Sequence, residues 1–291
     1  MESKKLKIIF AGAVQNCANY LPLVLKNIEE ISSIASESSY IFVENDSKDK
    51  TKSVLNNWGS KKDNFRLINL DGLNKIPIRG LRLEYARNTY LEIIKNNKIL
   101  SNYDFLFVMD MDDASKYPID KKVIKKGLNF LNSTVENAAI FANQIGTYYD
   151  MWTIRHSKYC PNDVWEEVFD YARINEVSDE EAYKNTFAKK LISFSKDLPP
   201  IEVNSAFGGL GIYKLKFVVN NLNPYLGSKI KILDSKKTIE KICRWQVCEH
   251  VHFNYGIKAQ GGKMFIYPEL VNGQNEGLSF SPNFYKSCIF G

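Results

Sequence analysis

The stretch from residue 103 to residue 113 constrains the fold most, because an apolar run ends there in a cluster of acids. Residues 103–109 are typical of a buried strand, and Asp110, Asp112 and Asp113 follow it directly. Neighbouring carboxylates repel one another, so they are best tolerated at the exposed end of a strand, and better still around a cation. Side chains alternate along an extended backbone, which puts Asp110 and Asp112 on the same side. The pair predicts a site for a hard divalent ion that also holds phosphate oxygens.

The size and composition of the chain are those of a globular protein. Its 291 residues are 44% hydrophobic and 25% charged, which is enough to bury a substantial core. The formal net charge of +6 favours anionic ligands such as nucleotides, but it is too small and too scattered to indicate nucleic-acid binding. The five cysteines are odd in number and irregularly spaced, which favours reduced thiols in a cytosolic protein.

The N-terminal segment has some features of a signal peptide and some of a first strand. Its apolar run is soon interrupted by Gln15, Asn16 and Asn19, which favours a strand followed by a loop. No apolar run in the sequence is long enough to span a membrane. These features predict a cytoplasmic protein without a transmembrane segment.

Strand and helix patterns alternate in the first part of the chain. Strands are predicted for residues 6–11, 40–43, 65–70 and 103–109, and helices for residues 20–31, 49–58 and 81–99. Such alternation indicates βαβ units, which build a mostly parallel central sheet covered by helices on both faces.

The second part of the chain is less regular, and no linker or repeat divides it from the first. We expect one domain over residues 1–291, with an elaborated C-terminal half and a tail beyond Pro268 that wraps the surface. The predicted elements are strands at residues 137–142, 146–155 and 263–267, helices at 161–173, 178–194 and 239–255, and a glycine loop entering a strand at 206–213.

Polar clusters follow three of the predicted strands. They are Gln15 and Asn16, residues 44–47, and the acid cluster. Ligands of such sheets bind beyond the carboxyl ends of the strands, so these clusters are expected to converge. Glu44 and Asp46 can accept hydrogen bonds from ribose hydroxyls or from a base N–H. The alternative is that Asp46 or Ser47 only caps the following helix.

The acid cluster and the arginines near it each have a second interpretation. The acids could form a solvated loop, or cap the helix that follows Asp120. Arg79, Arg82 and Arg87 lie at the start of the long helix, and a guanidinium fork suits a diphosphate. Ordinary salt bridges, for example with Glu84, would explain the arginines equally well.

Two further segments of the second half carry candidate residues. Gly208, Gly209 and Gly211 either allow a ligand to approach the backbone closely or form a β-bulge. Glu249, His250 and His252 lie within four residues and can bind a metal or move protons, although a lone histidine is more often structural. The sequence has no phosphate-binding loop, no zinc-protease helix and no nucleophile elbow.

With these residues identified, the chain resembles the nucleotide-sugar glycosyltransferases of the GT-A fold. The Asp-x-Asp motif of that family corresponds to Asp110-Met111-Asp112, and its nucleoside-contacting acidic loop corresponds to residues 44–47. The chain is also similar, more narrowly, to the cryptococcal capsule mannosyltransferase-like family. The similar segments are residues 149–155, 204–213 and 248–251, and all the matches together span roughly residues 11–251.

The resemblance implies a GT-A catalytic domain with a mostly parallel central sheet. Residues 1–115 would form its nucleotide-binding half, and residues 116–291 its acceptor-side half and C-terminal tail. The implied reaction transfers a sugar from a UDP- or GDP-linked donor to a hydroxyl acceptor such as a glycan. Mn²⁺ or Mg²⁺ is the implied cofactor, acting as a Lewis acid on the leaving diphosphate.

The resemblance also implies roles for particular residues. Asp110 or Asp112 would hold the ion, and His250 or His252 would complete its shell. Glu249 would be the base of an inverting enzyme or would orient the acceptor in a retaining one, with Asp113 as a second catalytic candidate. The candidates for binding substrate are Gln15, Asn16, Glu44, Asp46, Arg82, Arg87, Asp150, Trp152, Arg155, Gly208 and Gly209.

Two other classes of protein remain open at this point. A sugar nucleotidyltransferase would release pyrophosphate from a nucleoside triphosphate, and it usually has a basic, glycine-rich loop after the first strand. Residues 11–15 contain no basic residue. A non-catalytic carbohydrate-binding protein would bind its ligand without turnover.

Overall fold

A central sheet of eight strands runs through the part of the chain that the structure, a computed structural model, describes: residues 5–233, 241–275 and 289–290. A second sheet within these residues is antiparallel and consists of β8, β9 and β11. The strands are β1 (Lys7–Val14), β2 (Glu37–Glu44), β3 (Phe65–Asn69), β4 (Phe105–Met109), β5 (Asn137–Gly146), β6 (Ile201–Val203), β7 (Leu210–Lys214), β8 (Ser228–Leu233), β9 (Lys241–Gln246), β10 (Lys263–Asn275) and β11 (Ile289–Phe290).

The central sheet is mostly parallel, as the sequence predicts. Its strand order is β3-β2-β1-β4-β7-β5-β10-β6, and only β7 and β6 run against the others. Val14 pairs with Glu44 and Glu44 pairs with Asn69, so the first three strands end level with one another. The carboxyl end of β4 lies at the same edge, because β4 runs parallel to β1.

Helices cover both faces of the sheet, because β1 and its neighbours alternate apolar side chains between the two faces. Ile9 packs in one core with Tyr90, under α3 (Arg79–Asn96), α5 (Val164–Asn175) and α8 (Glu249–Ala259). Phe10 packs in the other core with Val24 and Leu128, under α1 (Leu21–Ser32), α2 (Thr51–Gly59) and α4 (Lys121–Ser133). Two further helices are α6 (Asp179–Asn185) and α7 (Leu215–Val219).

The predicted elements of the first part are confirmed, and those of the second part need four corrections. The predicted helix over 178–194 ends at Asn185 and is followed by a short 3₁₀ turn, Phe187–Lys190. The predicted helix over 239–255 is wrong as far as residue 246, because residues 241–246 form β9. The last strand continues to Asn275, so the predicted surface tail is a strand there, and residues 239–240 and 276–288 lie outside the described residues.

Two of these differences have a local cause. In β9 the exposed Ile242 and Arg244 alternate with the buried Cys243 and Trp245, which is the period of a strand. The predicted strand over 146–155 is also wrong, because the chain turns at Asp150. The carbonyl of Asp150 accepts hydrogen bonds from the amide and the hydroxyl of Thr153, at 3.1 and 2.8 Å.

The four cysteines in the described part of the chain are unpaired and buried, in line with the expected reduced thiols. Cys288 lies outside the described residues. Within the same part of the chain, no helix combines the length and the apolar character that crossing a bilayer requires.

Candidate active site

The loops that follow β1 and β2 are tied together by hydrogen bonds. The backbone amide of Asn16 donates to Oγ of Ser47 at 2.9 Å, and its side-chain Oδ1 accepts from the backbone amide of Lys48 at 2.8 Å. Asn16 and Asp46 both have left-handed backbone, with φ of 52° and 50°, which asparagine and aspartate tolerate better than most residues. Asn16 therefore ties the loop after β1 to the loop after β2 through both its backbone and its side chain.

Glu44 and Asp46, the predicted nucleoside contacts, also hold backbone amides. Oε1 of the buried Glu44 accepts from the amide of Ser47 at 2.7 Å. The two oxygens of Asp46 accept from Gly72 and Asn74, at 2.7 and 2.8 Å, and these bonds lower the pKa of Asp46. Neither Asp46 nor Ser47 caps α2; the amide of its first residue, Thr51, donates to Oδ1 of Asp49 at 2.9 Å. Asp46 instead organises the loop after β3.

Asp110 and Asp112 lie together at the end of β4. Oδ2 of Asp110 accepts from the hydroxyl of Tyr149 at 3.1 Å, and Oδ1 of Asp112 accepts from the amide of Ala114 at 3.1 Å. Burial raises the pKa of Asp110, against the opposing effect of Arg87. Burial, together with the charge of Asp110, raises the pKa of Asp112 to about 6. Burial thus disfavours the charged form of both carboxylates, even though Asp110 is paired with Arg87, and a bound cation would offset that effect.

The acid cluster does not cap the helix that follows it. Asp120 is itself the N-cap of α4, where its Oδ1 accepts from the amide of Lys122 at 2.8 Å. Asp113 is exposed and begins a 3₁₀ turn, Asp113–Ser115. After β4, Asp110 and Asp112 are therefore half-buried, whereas Asp113 is exposed.

A buried guanidinium joins the acidic pair to the second half of the chain. Nη2 of Arg87 lies 3.2 Å from Oδ1 of Asp110, and Nε of Arg87 lies 2.9 Å from Oε1 of Glu249. The guanidinium also lies over the ring of Phe207, with its carbon 5.2 Å from the ring centroid. Arg87 belongs to α3 and Glu249 is the first residue of α8, so one side chain holds β4, α3 and α8 together.

The two histidines of the second half have different surroundings. The ring of His250 is buried and stacked on Phe207, with 3.8 Å between the ring centroids. Burial and the charge of Arg87 hold the pKa of His250 well below its usual range, so the ring is neutral. Within the described part of the chain, neither of its ring nitrogens has a hydrogen-bond partner. Nδ1 of His252 instead lies 2.8 Å from the carbonyl oxygen of Pro224.

Two adjoining cavities open at this edge of the sheet. A small cavity of about 160 Å³ is lined by Gln15, Asn45, Arg82 and Asp112, among others. A large cavity of about 380 Å³ is lined by three acids, by His250 and by aromatic rings; these residues include Asp110, Asp150, Glu249, Tyr149, Trp152, Trp165, Phe187 and Phe207. Both cavities share the residues Arg79, Leu83, Arg87 and Asp110.

Three of the four residues that line both cavities lie on one face of α3. Arg79, Leu83 and Arg87 are spaced by four residues along α3, so they project from the same face. Asp110 meets this face from the end of β4. The two cavities therefore meet where two arginines and an aspartate converge.

The structure brings most, but not all, of the predicted site residues to these cavities. Gln15, Arg82, Arg87, Asp110, Asp112, Asp150, Trp152, Glu249 and His250 line one or both of them. The others lie outside the two linings: Asn16, Glu44, Asp46, Asp113, Arg155, Gly208, Gly209 and His252. Of these, Arg155 lies 3.0 Å from Asp163 in a buried ion pair.

Several lining residues were not among the predicted site residues. The sequence indicates Arg79 as a diphosphate contact beside Arg82 and Arg87, but only the other two are among the final substrate-binding candidates; Arg79 precedes Arg87 by eight residues, about two helical turns. Asn45 lies between Glu44 and Asp46, whose charges made them the stronger candidates from the sequence. Tyr149 and Phe207 lie in segments that carry the resemblance, but no pattern in those segments distinguishes them from aromatic residues of the core.

Asp150 lines the large cavity beside two other acids, Asp110 and Glu249. Its Oδ2 accepts from the amide of Gly208 at 3.1 Å. Burial, with a further contribution from the charge of Asp110, raises the pKa of Asp150 to about 7.

Gly208 needs to be glycine, and replacing it tests the local geometry. Its φ is +67°, and a Cβ there would lie 2.4 Å from the carbonyl oxygen of Ala142. Gly208→Ala should lower the free energy of unfolding by more than about 2 kcal/mol in denaturant titrations. Gly72→Ala is the matched control, because its φ is +93° but nothing lies within 4 Å of the added Cβ. Equal losses in the two variants would contradict the steric part of this prediction.

The acidic pair fits a divalent ion that is shared with a ligand. Among the described residues, no three His, Cys, Asp or Glu side chains converge to hold a metal on their own. Mg²⁺ and similar hard ions are usually bound by one or two carboxylates, with substrate phosphates and water supplying the other oxygens. Two carboxylates beside cavities lined by arginine match this kind of site.

No protein-family model matches the sequence, and no curated protein matches it. Among solved structures, the chain is similar to the mannosyltransferase PcManGT from Pyrobaculum calidifontis in complex with GDP-Man and Mn²⁺. That match has 14% identity and a TM-score of 0.50, and covers 93% of this chain and 57% of that one. S. aureus TarS 1–349 in complex with UDP matches at 12% identity and a TM-score of 0.47, over 97% and 63% of the two chains.

The likeness to the mannosyltransferase shows that the fold is of the GT-A type, as the sequence predicts. This chain spans about three-fifths of the length of both matched chains. The narrower likeness to the capsule mannosyltransferase-like family stays a prediction.

Proposed function

We propose that the protein is a metal-dependent glycosyltransferase, which moves a sugar from a nucleotide diphosphate donor to a hydroxyl group of an acceptor glycan. The observation that supports this most directly is the position of Asp110, beside Asp112 and at the junction of two adjoining cavities. A nucleotide sugar has a nucleoside diphosphate at one end and a sugar at the other. Two cavities that meet at an acidic pair suit a molecule of this kind.

The small cavity would take the nucleoside diphosphate. Arg79 is our candidate for its phosphates, because the side chain is exposed and lines both cavities. Arg82 is partly committed, since its Nη1 donates to the carbonyl of Ile76 at 2.7 Å. Gln15 and Asn45 line the same cavity and can contact the nucleoside through their amide groups.

Asp110 and Asp112 would hold Mn²⁺ or Mg²⁺ against the diphosphate. When bound, the ion supplies Lewis-acid stabilisation of the charge that develops on the leaving group. The PcManGT complex contains GDP-Man and Mn²⁺, and the proposal takes its donor class from this likeness of fold. The large cavity would then hold the sugar, with room for an acceptor beside it.

Thermal unfolding with nucleotides tests the donor site. UDP or GDP at 100 times its Kd, with Mn²⁺, should stabilise the protein by about 2.7 kcal/mol, which raises Tm by about 4–8 °C. The shift should depend on Mn²⁺, and the preferred nucleotide identifies the base of the donor. A screen of nucleotide sugars for slow hydrolysis then tests for turnover.

Three outcomes would contradict the proposal. Release of pyrophosphate from a nucleoside triphosphate and a sugar phosphate would indicate a nucleotidyltransferase. Binding of glycans without binding of nucleotides would indicate a carbohydrate-binding protein. Nucleotide binding that is indifferent to Mn²⁺ would remove the role of the acidic pair.

A further inference from the structure

We infer that Asp150 is the general base that deprotonates the acceptor hydroxyl, so that transfer inverts the configuration of the sugar. The inference rests on the proposed function and gives Asp150 the role that the sequence suggested for Glu249. The carboxylates that line the large cavity differ in their ion-pair partners, and this difference distinguishes Asp150 from the others.

Three acids line the large cavity, and Arg87 already engages two of them. Asp110 and Glu249 lie 3.2 and 2.9 Å from its guanidinium. A proton taken up by Glu249 would break the shorter of these ion pairs and leave part of a buried cation without its partner. Glu249 is thus held in a supporting position rather than made ready to accept a proton.

Asp150 differs from both of these acids. Among the described residues it forms no ion pair, and only its Oδ2 accepts from a backbone amide, that of Gly208 at 3.1 Å. The hydroxyl of Thr153 donates to the backbone carbonyl of Asp150 at 2.8 Å, and it also lies close enough to the carboxylate to lower the pKa of Asp150. The carboxylate is therefore oriented by the protein and still has an oxygen for a substrate hydroxyl.

The position of Asp150 also suits a base. Asp112 lines only the small cavity and Asp150 lines only the large one, while Asp110 lies at the junction. A base on the far side of the sugar from the diphosphate is what attack from the opposite face requires. The groups that influence Asp150 electrostatically are Asp110, Glu249, Tyr148, Tyr149 and Cys248, and burial with the charge of Asp110 raises its pKa to about 7.

The proposed step is a single displacement. The acceptor hydroxyl gives its proton to a carboxylate oxygen of Asp150, and the hydroxyl oxygen forms a bond to the anomeric carbon. The bond from that carbon to the phosphate oxygen breaks, and its electron pair leaves with the nucleoside diphosphate. The sugar ends with the opposite anomeric configuration, and the proton on Asp150 returns to water.

The test compares Asp150→Asn with the wild-type protein. The asparagine keeps an oxygen for the amide of Gly208 but cannot accept a proton, so kcat for transfer should fall at least about 100-fold. The affinity for the nucleotide with Mn²⁺, measured by calorimetry, should change less than about threefold, because Asp150 does not line the small cavity. The acid limb of the pH profile of kcat/KM should disappear in the variant.

Two results would overturn the inference while leaving the proposed function intact. One is a wild-type product whose anomeric configuration, read by NMR, matches that of the donor. The other is an Asp150→Asn variant with normal nucleotide affinity that turns over within tenfold of the wild type. A wild-type protein that neither binds nor turns over nucleotide sugars would instead overturn the proposed function. The wild-type stereochemistry decides the matter even if the variant does not fold.

Discussion

Asp112→Asn should reduce the turnover of the nucleotide sugar about 1,000-fold at a fixed concentration of Mn²⁺, a loss of about 4 kcal/mol in transition-state stabilisation. The change keeps the size of the side chain and an oxygen that can accept from the amide of Ala114 at this turn. It removes one of the two negative charges that make the site attractive to a cation. The affinity for Mn²⁺, followed by electron paramagnetic resonance in the presence of nucleotide, should weaken in parallel.

The chain offers a matched control for this substitution. Asp120 caps α4 outside both cavities, and asparagine is as good an N-cap as aspartate, so Asp120→Asn should leave turnover and stability nearly unchanged. The metal-free form of Asp112→Asn should be at least as stable as the wild type, because the substitution relieves repulsion between Asp110 and Asp112. A variant that keeps both its Mn²⁺ affinity and its turnover would contradict the proposal that Asp112 holds a metal ion.

Arg87→Met should lower the free energy of unfolding by about 3–5 kcal/mol. The side chains of Arg87 and Glu249 are only 4% and 5% exposed, so removing the guanidinium leaves Glu249 buried without its partner. Asp110, which is 26% exposed, loses the same partner at the end of β4. Chemical denaturation measures the loss, and it should exceed that of any exposed substitution on α3.

A double-mutant cycle separates the ion pair from simple packing. Glu249→Met together with Arg87→Met replaces a buried pair by two apolar side chains, which is often neutral for stability. The double variant should therefore be more stable than Arg87→Met alone, with an interaction energy of about 1–3 kcal/mol. Losses that merely add would show that the pair contributes nothing beyond its separate contacts.

The first part of the fold was predictable because its signals are local. Strand and helix periods alternate between residues 6 and 109, and each period is set by which side chains of one element face the core. The second part was less predictable because partners distant in sequence decide it. Residues 147–155 contain enough apolar residues for a strand, but the turn at Asp150 and the amide of Gly208 hold them in a loop.

The same contrast between local signals and partners distant in sequence applies to the candidate site. Asp110 and Asp112 stood out because acids directly after a buried strand are unusual and need an explanation. The ion pairs of Arg87 join residues 23 and 162 positions apart, and no local pattern reveals which acid an arginine will meet. Glu44 and Asp46 drew attention for their charge, yet their oxygens hold backbone amides in the loops that frame the site.

The common wall of the two cavities has a thermodynamic consequence. A ligand that shifts Arg79, Leu83 or Arg87 in one cavity alters the shape and the charge of the other, because the same face of α3 lines both. Linkage then requires reciprocity: if a bound nucleotide strengthens acceptor binding by some factor, the bound acceptor strengthens nucleotide binding by that factor too. The coupling between the two substrates would thus pass through one four-residue repeat of a single helix.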